Sequence, residues 1–590
     1  MSPPLFTCYF AGTGMGMTGS INTQRRTARA VLLTLLAVSL SASLSKPAQG
    51  TTWESVIVSG TEGATRTVRD AVVSVGGEVG KVLPIINGVS ARVPSRSLPA
   101  LRNRPGVRFV SPDAHGKLLG VDSQLGYDVG NDEGSLYYTA NVMKAKSEAW
   151  NKNVTGKGVD IALIDSGVAA VTGLTSGNIA HGPDLSFESQ IPELTQKDTY
   201  GHGTHMASII VGRDAVSTGS QYANSGSHKF NGIAPDARLI SLKVATSSGA
   251  ADVSQIIAAI DWVTQNKNVG GLNIKVLNLS FGTDSDQPFA IDPLAYAVEN
   301  AWRAGIVVVV AGGNDGAARS ALRSPANDPL VIAVGADDTN ATTSISNDTL
   351  ASFSQPGAAT RRLDILAPGM HILGLRVPGS QLDQQNPGAG VGSRFFRGTG
   401  TSQAAAVISG VAALYLSKFP NATPDAVKRV LTSTATSSVN HTSVQAGLGV
   451  PNLQTALATT PPAFTQAATG ATGTGSLEAA RGSYHVSDGT SELTGETDIF
   501  GSVWAAESWA PMSAAGTSWN GGTWNGTTWT GTTWTGTTWT GTTWTGNTWT
   551  GNTWTGSTWT GNGWTGGGWT GSTWTGSSWT GSLWVGESWS

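Results

Sequence analysis

An α/β fold, a parallel sheet with helices on both faces, is predicted for the middle of this chain by three observations. Between about residues 136 and 460, strand-like apolar runs alternate with amphipathic helical segments. The runs at 159–164, 239–244, 275–279, 306–310 and 330–334 are apolar almost throughout, as strands buried on both sides are. Several of them stop abruptly in polar or glycine-rich turns, the place where ligands collect in such folds.

In chain order, a basic cluster, Arg25-Arg26-Thr-Ala-Arg29, precedes an apolar run from Ala30 to Leu44. That run is shorter than the ~20 residues a membrane span needs and has the build of a secretory signal. Residues 1–50 are therefore assigned to a signal-peptide region. The start is Met15 or Met17, cleavage follows Gly50 or falls near Ser43, and a twin-arginine route stays open. The expectation is an exported, extracellular or cell-wall-associated protein with no membrane span after processing. Cys8, the one cysteine, lies upstream of that run, so the processed product would hold no disulfide. With 13% charged residues and a net charge of -3, nothing points to nucleic acid as a partner.

Residues 51–118 predict a small α+β unit. A strand at 55–58 leads to a helix in which Val68, Ala71, Val72 and Val75 share one face. Gly76-Gly77 ends that helix. Strands at 82–86 and 89–93 join at Asn87-Gly88. Leu98 and Leu101 mark a short helix, and 107–110 the last strand. The order βαββαβ is the ferredoxin-like split pattern. A unit this small is marginally stable alone.

In the region 119–460, Val253, Ile256, Ile257, Ile260 and Val263 mark one helix face, and Leu294, Ala297, Val298 and Ala301 another. A third helix starts near Ser402, and a last one is capped at Thr423-Pro424. Residues 461–503 read as a linker. From 504 to 590 the chain is a tryptophan repeat: Trp recurs every five residues from Trp519 to Trp589, Trp504 and Trp509 are in phase, and Ala514 breaks the series. A period of five gives neither a helix nor a strand a one-sided apolar face. One reading is a low-complexity, disordered extension. The other is an association device that stacks on cell-wall glycans, or on itself as a short-period β-solenoid.

Four turns carry the chemistry. The run 159–164 ends in Asp165-Ser-Gly167, which is either an Asx-turn or a placed carboxylate. Gly201-His202-Gly-Thr-His205 sets a histidine between glycines; a metal pair would want a further ligand at spacing, and none is near in sequence. The run 306–310 ends in Ala-Gly312-Gly313-Asn314, whose asparagine is a turn residue or an amide donor. Gly398-Thr-Gly-Thr-Ser402-Gln-Ala passes from glycine-rich chain to helix formers, so Ser402 is an N-cap or a hydroxyl at a helix N-terminus. Together, in the order Asp, His, Ser, they suit nucleophilic catalysis. A serine hydroxyl needs a base, histidine titrates near neutral pH, and a carboxylate orients the imidazole. An amide donor beside the nucleophile's own N–H can hold an oxyanion.

These blocks resemble those of the subtilisin-like (subtilase) serine peptidases. The resemblance covers roughly 150–460 and implies Asp165, His202 and Ser402 as catalytic triad with Asn314 in the oxyanion hole. It also implies that Ser280, Phe281 and Gly282, together with Gly312 and Gly313, bind substrate backbone. Residues 51–118 resemble the family's inhibitory propeptide, which implies a proenzyme that processes itself and has its own propeptide and polypeptide substrates as partners. No cofactor is implied for the chemistry; structural calcium is allowed, with no residues matched to it. Ala406 stands where the family usually has proline, and an insertion containing 374–396 lengthens the approach to Ser402. His205 is expected to be structural; the pocket is expected to be open to apolar groups, and Asp315 beside Asn314 would let it admit a basic side chain. The competing expectation is a surface-binding protein that works through its tail, with an inactive peptidase fold.

Overall fold

The computed structural model describes residues 53–112 and 135–528, except 62, 84–86, 192, 225–228, 320, 341, 438–446, 487–491, 521–522 and 526; beyond 528 it describes separate strands between 533 and 589. The expected signal region and the junction after the small unit lie outside these residues. The chain divides at residues 118 and 119 into two compact units.

The first unit has the predicted order: β1 (Trp53–Gly60), a helix Thr65–Ser74, β2 (Glu78–Leu83), β3 (Gly88–Pro94), a short helix Leu98–Arg102 and β4 (Val107–Pro112). The sheet runs β2-β3-β1-β4 with neighbours antiparallel. Val56 and Val58 on β1 and Val89, Ala91 and Val93 on β3 bury one face, the two-residue period of a sheet with one solvated side. Val68 and Val72 close that core from the helix, and Asn87 makes the β2–β3 turn with a left-handed φ of 48°.

The second unit is built on β5 (Asp160–Asp165), β6 (Ile179–Asp184), β7 (Arg238–Lys243), β8 (Ile274–Leu279), β9 (Val307–Ala311) and β10 (Ile332–Asp338). They lie parallel in the order β10-β9-β8-β5-β7-β6. Ile365–Pro368 pairs in parallel on the far side of β10. Helices His202–Val211 and Thr401–Lys418 pack together on the sheet, and Val253–Asn266 and Pro293–Arg303 likewise. From Thr401 to Leu416 every residue of the Ser402 helix is buried, which explains its apolar residues on all sides. The predicted helix cap is present: Thr423 Oγ1 accepts from Ala426 N at 3.2 Å.

Two expectations change. Residues 461–503 lie along the α/β unit instead of linking it loosely. The short helix Leu477–Arg481 brings Arg481, fully buried, against Asp252 at 2.6 Å, and Asp252 in turn caps helix Val253–Asn266 through Ser254 N. The first tryptophans of the repeat are not an uncovered extension either. Residues Ala506–Ala515 form a helix, and Trp504, Trp509, Trp519 and Trp524 are buried against helix Val253–Asn266. Farther on, strands pair in parallel with partners three pentads away, the backbone of Trp534 in register with Trp549, Trp549 with Trp564 and Trp564 with Trp579.

Candidate active site

Asp165 is the last residue of β5, at the carboxyl end of a strand whose every residue is buried. Its Oδ1 accepts from Ser166 N at 2.8 Å. Both its oxygens face His202 Nδ1, at 2.8 and 2.9 Å. His202 opens the helix His202–Val211 straight after Gly201, whose φ of 103° only glycine adopts cheaply. A Cβ on Gly203 would collide with the Gly167 carbonyl, so the small residue after the histidine lets this helix approach the Asp165 turn.

Sequence reasoning missed Asp198, which fixes that approach. Its Oδ1 accepts from Gly201 N at 2.6 Å and from Ser166 Oγ at 2.8 Å, and its Oδ2 from Thr204 N at 2.8 Å. Burial raises its pKa, and those donors hold it back. The available signal was a carboxylate just upstream of a helix start. The 374–396 insertion braces the same loop, with Gln381 N and Leu382 N donating to the carbonyls of Thr199 and Tyr200 at 3.0 Å each.

Ser402 is the second residue of its helix, and Thr401 ties that helix start to the end of β9. Thr401 N and Oγ1 donate to Asn314 Oδ1 at 2.8 and 2.9 Å, and Gly313 N donates to Thr401 Oγ1 at 3.2 Å. These bonds settle which end of the Asn314 carboxamide is oxygen and leave its NH₂ as the outward donor. A Cβ on Gly400 would lie 2.8 Å from Gln403 Oε1 and 3.4 Å from Asn314 Nδ2, so the side-chain ends of this turn pack closely over the glycine. From the other side, Ser280 Oγ donates to the Ser402 carbonyl at 3.3 Å and to Asn278 Oδ1 at 3.0 Å.

Ser280, Phe281, Gly282, Gly313, Asn314 and Ser402 line one recess. Gly312 does not reach it: its N–H is taken by the Val334 carbonyl at 2.9 Å, and it packs on Leu363. The His202 helix meets the Ser402 segment one turn further on. His205 Nε2 donates to the Phe396 carbonyl at 3.1 Å, on the strand Phe395–Gly398 that leads into Ser402. Burial brings the His205 pKa down to about 4, so it stays neutral and structural at working pH.

Asp315 does not stand open for a basic side chain. It is ion-paired with Arg323, a residue the sequence did not single out. Among the described residues no group of three or more metal-ligating side chains occurs, so no ligand set is assigned to calcium.

The subtilase family profile matches residues 156–453. The chain is similar to serine protease AprX of Bacillus subtilis (strain 168), 38% identical over 48% of this chain and 62% of that one. It is also similar to subtilisin E of the same organism, 31% identical over 66% of this chain and 85% of that one. The crystal structure of fervidolysin from Fervidobacterium pennivorans, a keratinolytic enzyme related to subtilisin, matches at 23% identity over 71% of this chain and 63% of that one, with a TM-score of 0.45.

Proposed function

This chain belongs to the subtilase family of serine endopeptidases, and on that premise we propose that it hydrolyses peptide bonds with Asp165, His202 and Ser402 as its triad. The observation that carries the assignment is the pair of short contacts from His202 Nδ1 to the Asp165 carboxylate. They fix the tautomer with the proton on Nδ1 and leave Nε2 as the base. His202 takes the Ser402 proton as the hydroxyl attacks the scissile carbonyl, and Asp165 stabilises the imidazolium. The Asn314 amide and the Ser402 N–H hold the oxyanion, and His202 returns the proton to the leaving amine. Water then releases the acyl-enzyme by the same route. The chemistry requires no cofactor.

In this reading the protein is exported as a proenzyme, and the βαββαβ unit before residue 113 is its propeptide. The topology of that unit supports the role, as does its small core, which gains from folding beside a larger partner. For the tail, the three-pentad parallel register favours self-association through stacked strands over glycan binding. A serine-directed phosphonate should label the secreted wild type and not Ser402→Ala. Mass spectrometry of both products tests processing: identical propeptide removal in the two would sink self-cleavage, and an unlabelled wild type would restore the surface-binding alternative.

A further inference from the structure

The recess beside Ser402 is closed by side chains that the hydrolytic chemistry does not use. Arg323 points into it with a side chain only 11% exposed. One guanidinium nitrogen pairs with Asp315, and Nη1 donates to the Tyr484 hydroxyl at 2.7 Å. The guanidinium carbon lies 5.3 Å from the centre of the Tyr484 ring, a cation–π arrangement. Tyr484 comes from the far segment that the sequence read as a linker.

That segment is anchored to the wall of the recess itself. Thr283 Oγ1 and Ser285 Oγ, just after Gly282, donate to the carbonyls of Ala480 and Ala479 at 2.7 Å each. Ser483 N donates to Asp284 Oδ1 at 2.7 Å. The free space left in the recess is about 40 Å³. A buried water needs ~10–15 Å³ of such space and benzene enters a cavity of ~150 Å³, so the recess suits a small side chain and not a ring.

We infer that Asp315, Arg323 and Tyr484 are specificity-determining residues, forming an end wall that restricts the substrate side chain entering this recess to small, uncharged ones. The inference rests on the endopeptidase reading above. Size is set by the Tyr484 ring. Charge is set by the ion pair: a lysine would have to displace Arg323 from Asp315, and a glutamate would meet guanidinium donors already committed to Asp315 and Tyr484.

The test uses the full chain and four peptide substrates that differ only in the residue before the scissile bond: Ala, Phe, Lys or Glu. Each kcat/KM is normalised to active sites titrated with the phosphonate. The wild type should favour Ala over each of the others by about tenfold or more. Tyr484→Ala should raise the Phe/Ala ratio by about tenfold, whereas Tyr484→Phe, which keeps the ring, should stay within a few-fold of wild type. Arg323→Ala, which bares Asp315, should raise the Lys/Ala ratio, and Asp315→Asn, which bares Arg323, the Glu/Ala ratio. A wild type that prefers Phe, or ratios that do not move in these variants while hydrolysis continues, would overturn the pocket and leave the endopeptidase reading standing. A wild type that cleaves none of the four would overturn both.

Discussion

Trp509 and Trp524 donate their indole N–H groups to the same atom, Oδ2 of Asp261, each at 2.8 Å. Ser513 Oγ donates to the other oxygen at 2.6 Å. Asp261 sits in helix Val253–Asn266 and is 3% exposed, so three donors from the C-terminal segment satisfy one buried carboxylate of the α/β unit. Trp504 stacks with Trp524 at 6.0 Å and lies 5.0 Å from Trp509, which closes the cluster.

Asp261→Ala would therefore leave three buried donors without their acceptor. Each such loss costs about 1–3 kcal/mol, and the whole substitution is expected to cost about 3–5 kcal/mol of stability. Chemical unfolding in a Ser402→Ala background, where self-digestion is removed, measures it. A change below about 1 kcal/mol would mean that the cluster does not hold the segment in place.

The contrast with what the sequence disclosed is physical. The five central strands were legible because burial on both faces favours runs that are apolar almost throughout, rich in Val, Ile and Leu. β6, Ile-Ala-His-Gly-Pro-Asp, was missed because an edge strand needs no such run and tolerates Gly and Pro. Asp165, His202, Asn314 and Ser402 were legible because each must stand at the end of a strand or the start of a helix. Asp198 was overlooked although Gly201 N and Thr204 N lie close to it in sequence, whereas Arg323 and Tyr484 were hidden because they meet across 161 residues of chain. The first tryptophans were misread for the same reason: a period of five says nothing about a partner helix. Asp261 between Ile260 and Trp262 was the one local irregularity that hinted at it.

Asn314→Ala should lower kcat with little change in KM. Its Oδ1 is held by Thr401, which leaves the NH₂ of this recess-lining residue as the donor, most useful once charge develops on the substrate oxygen. One hydrogen bond to a charged partner is worth about 1.5–3 kcal/mol, a tenfold to hundredfold drop in rate. A rise in KM at constant kcat would instead assign the side chain to ground-state binding.

His205 gives the fold an acid-sensitive component. Burial is the main cause of its lowered pKa, about 4, and its bond to the Phe396 carbonyl offsets part of that effect. The unfolded value is ~6.5, so the folded value is depressed and the neutral imidazole is favoured by folding. Its contribution is present above pH ~6.5 and is lost as pH falls toward 4, about 3 kcal/mol in all. Asp337, pushed up to about 7 mainly by burial, slopes the other way, since its stabilising protonated form is lost as pH rises through 7. The readout is thus the difference between wild type and His205→Gln across pH 4–7. Parallel curves would show that His205 does not titrate in this window.

Arg481 links stability to selectivity. It lies three residues before Tyr484, is fully buried, pairs with Asp252 at 2.6 Å and donates to the Gly495 carbonyl at 2.6 Å. Arg481→Met fills similar space but leaves the buried Asp252 carboxylate without its cation, for which about 3–5 kcal/mol of destabilisation is expected. Asp252 would keep its cap on Ser254 N, so helix Val253–Asn266 should persist while the 477–484 segment loosens. Unfolding in the Ser402→Ala background measures the first effect. In the active enzyme, freeing the segment should also raise the Phe/Ala ratio as Tyr484→Ala does, because the ring would no longer be held against Arg323. A destabilised variant that keeps the wild-type ratio would separate the two, leaving Arg481 a structural counter-ion with no bearing on the recess.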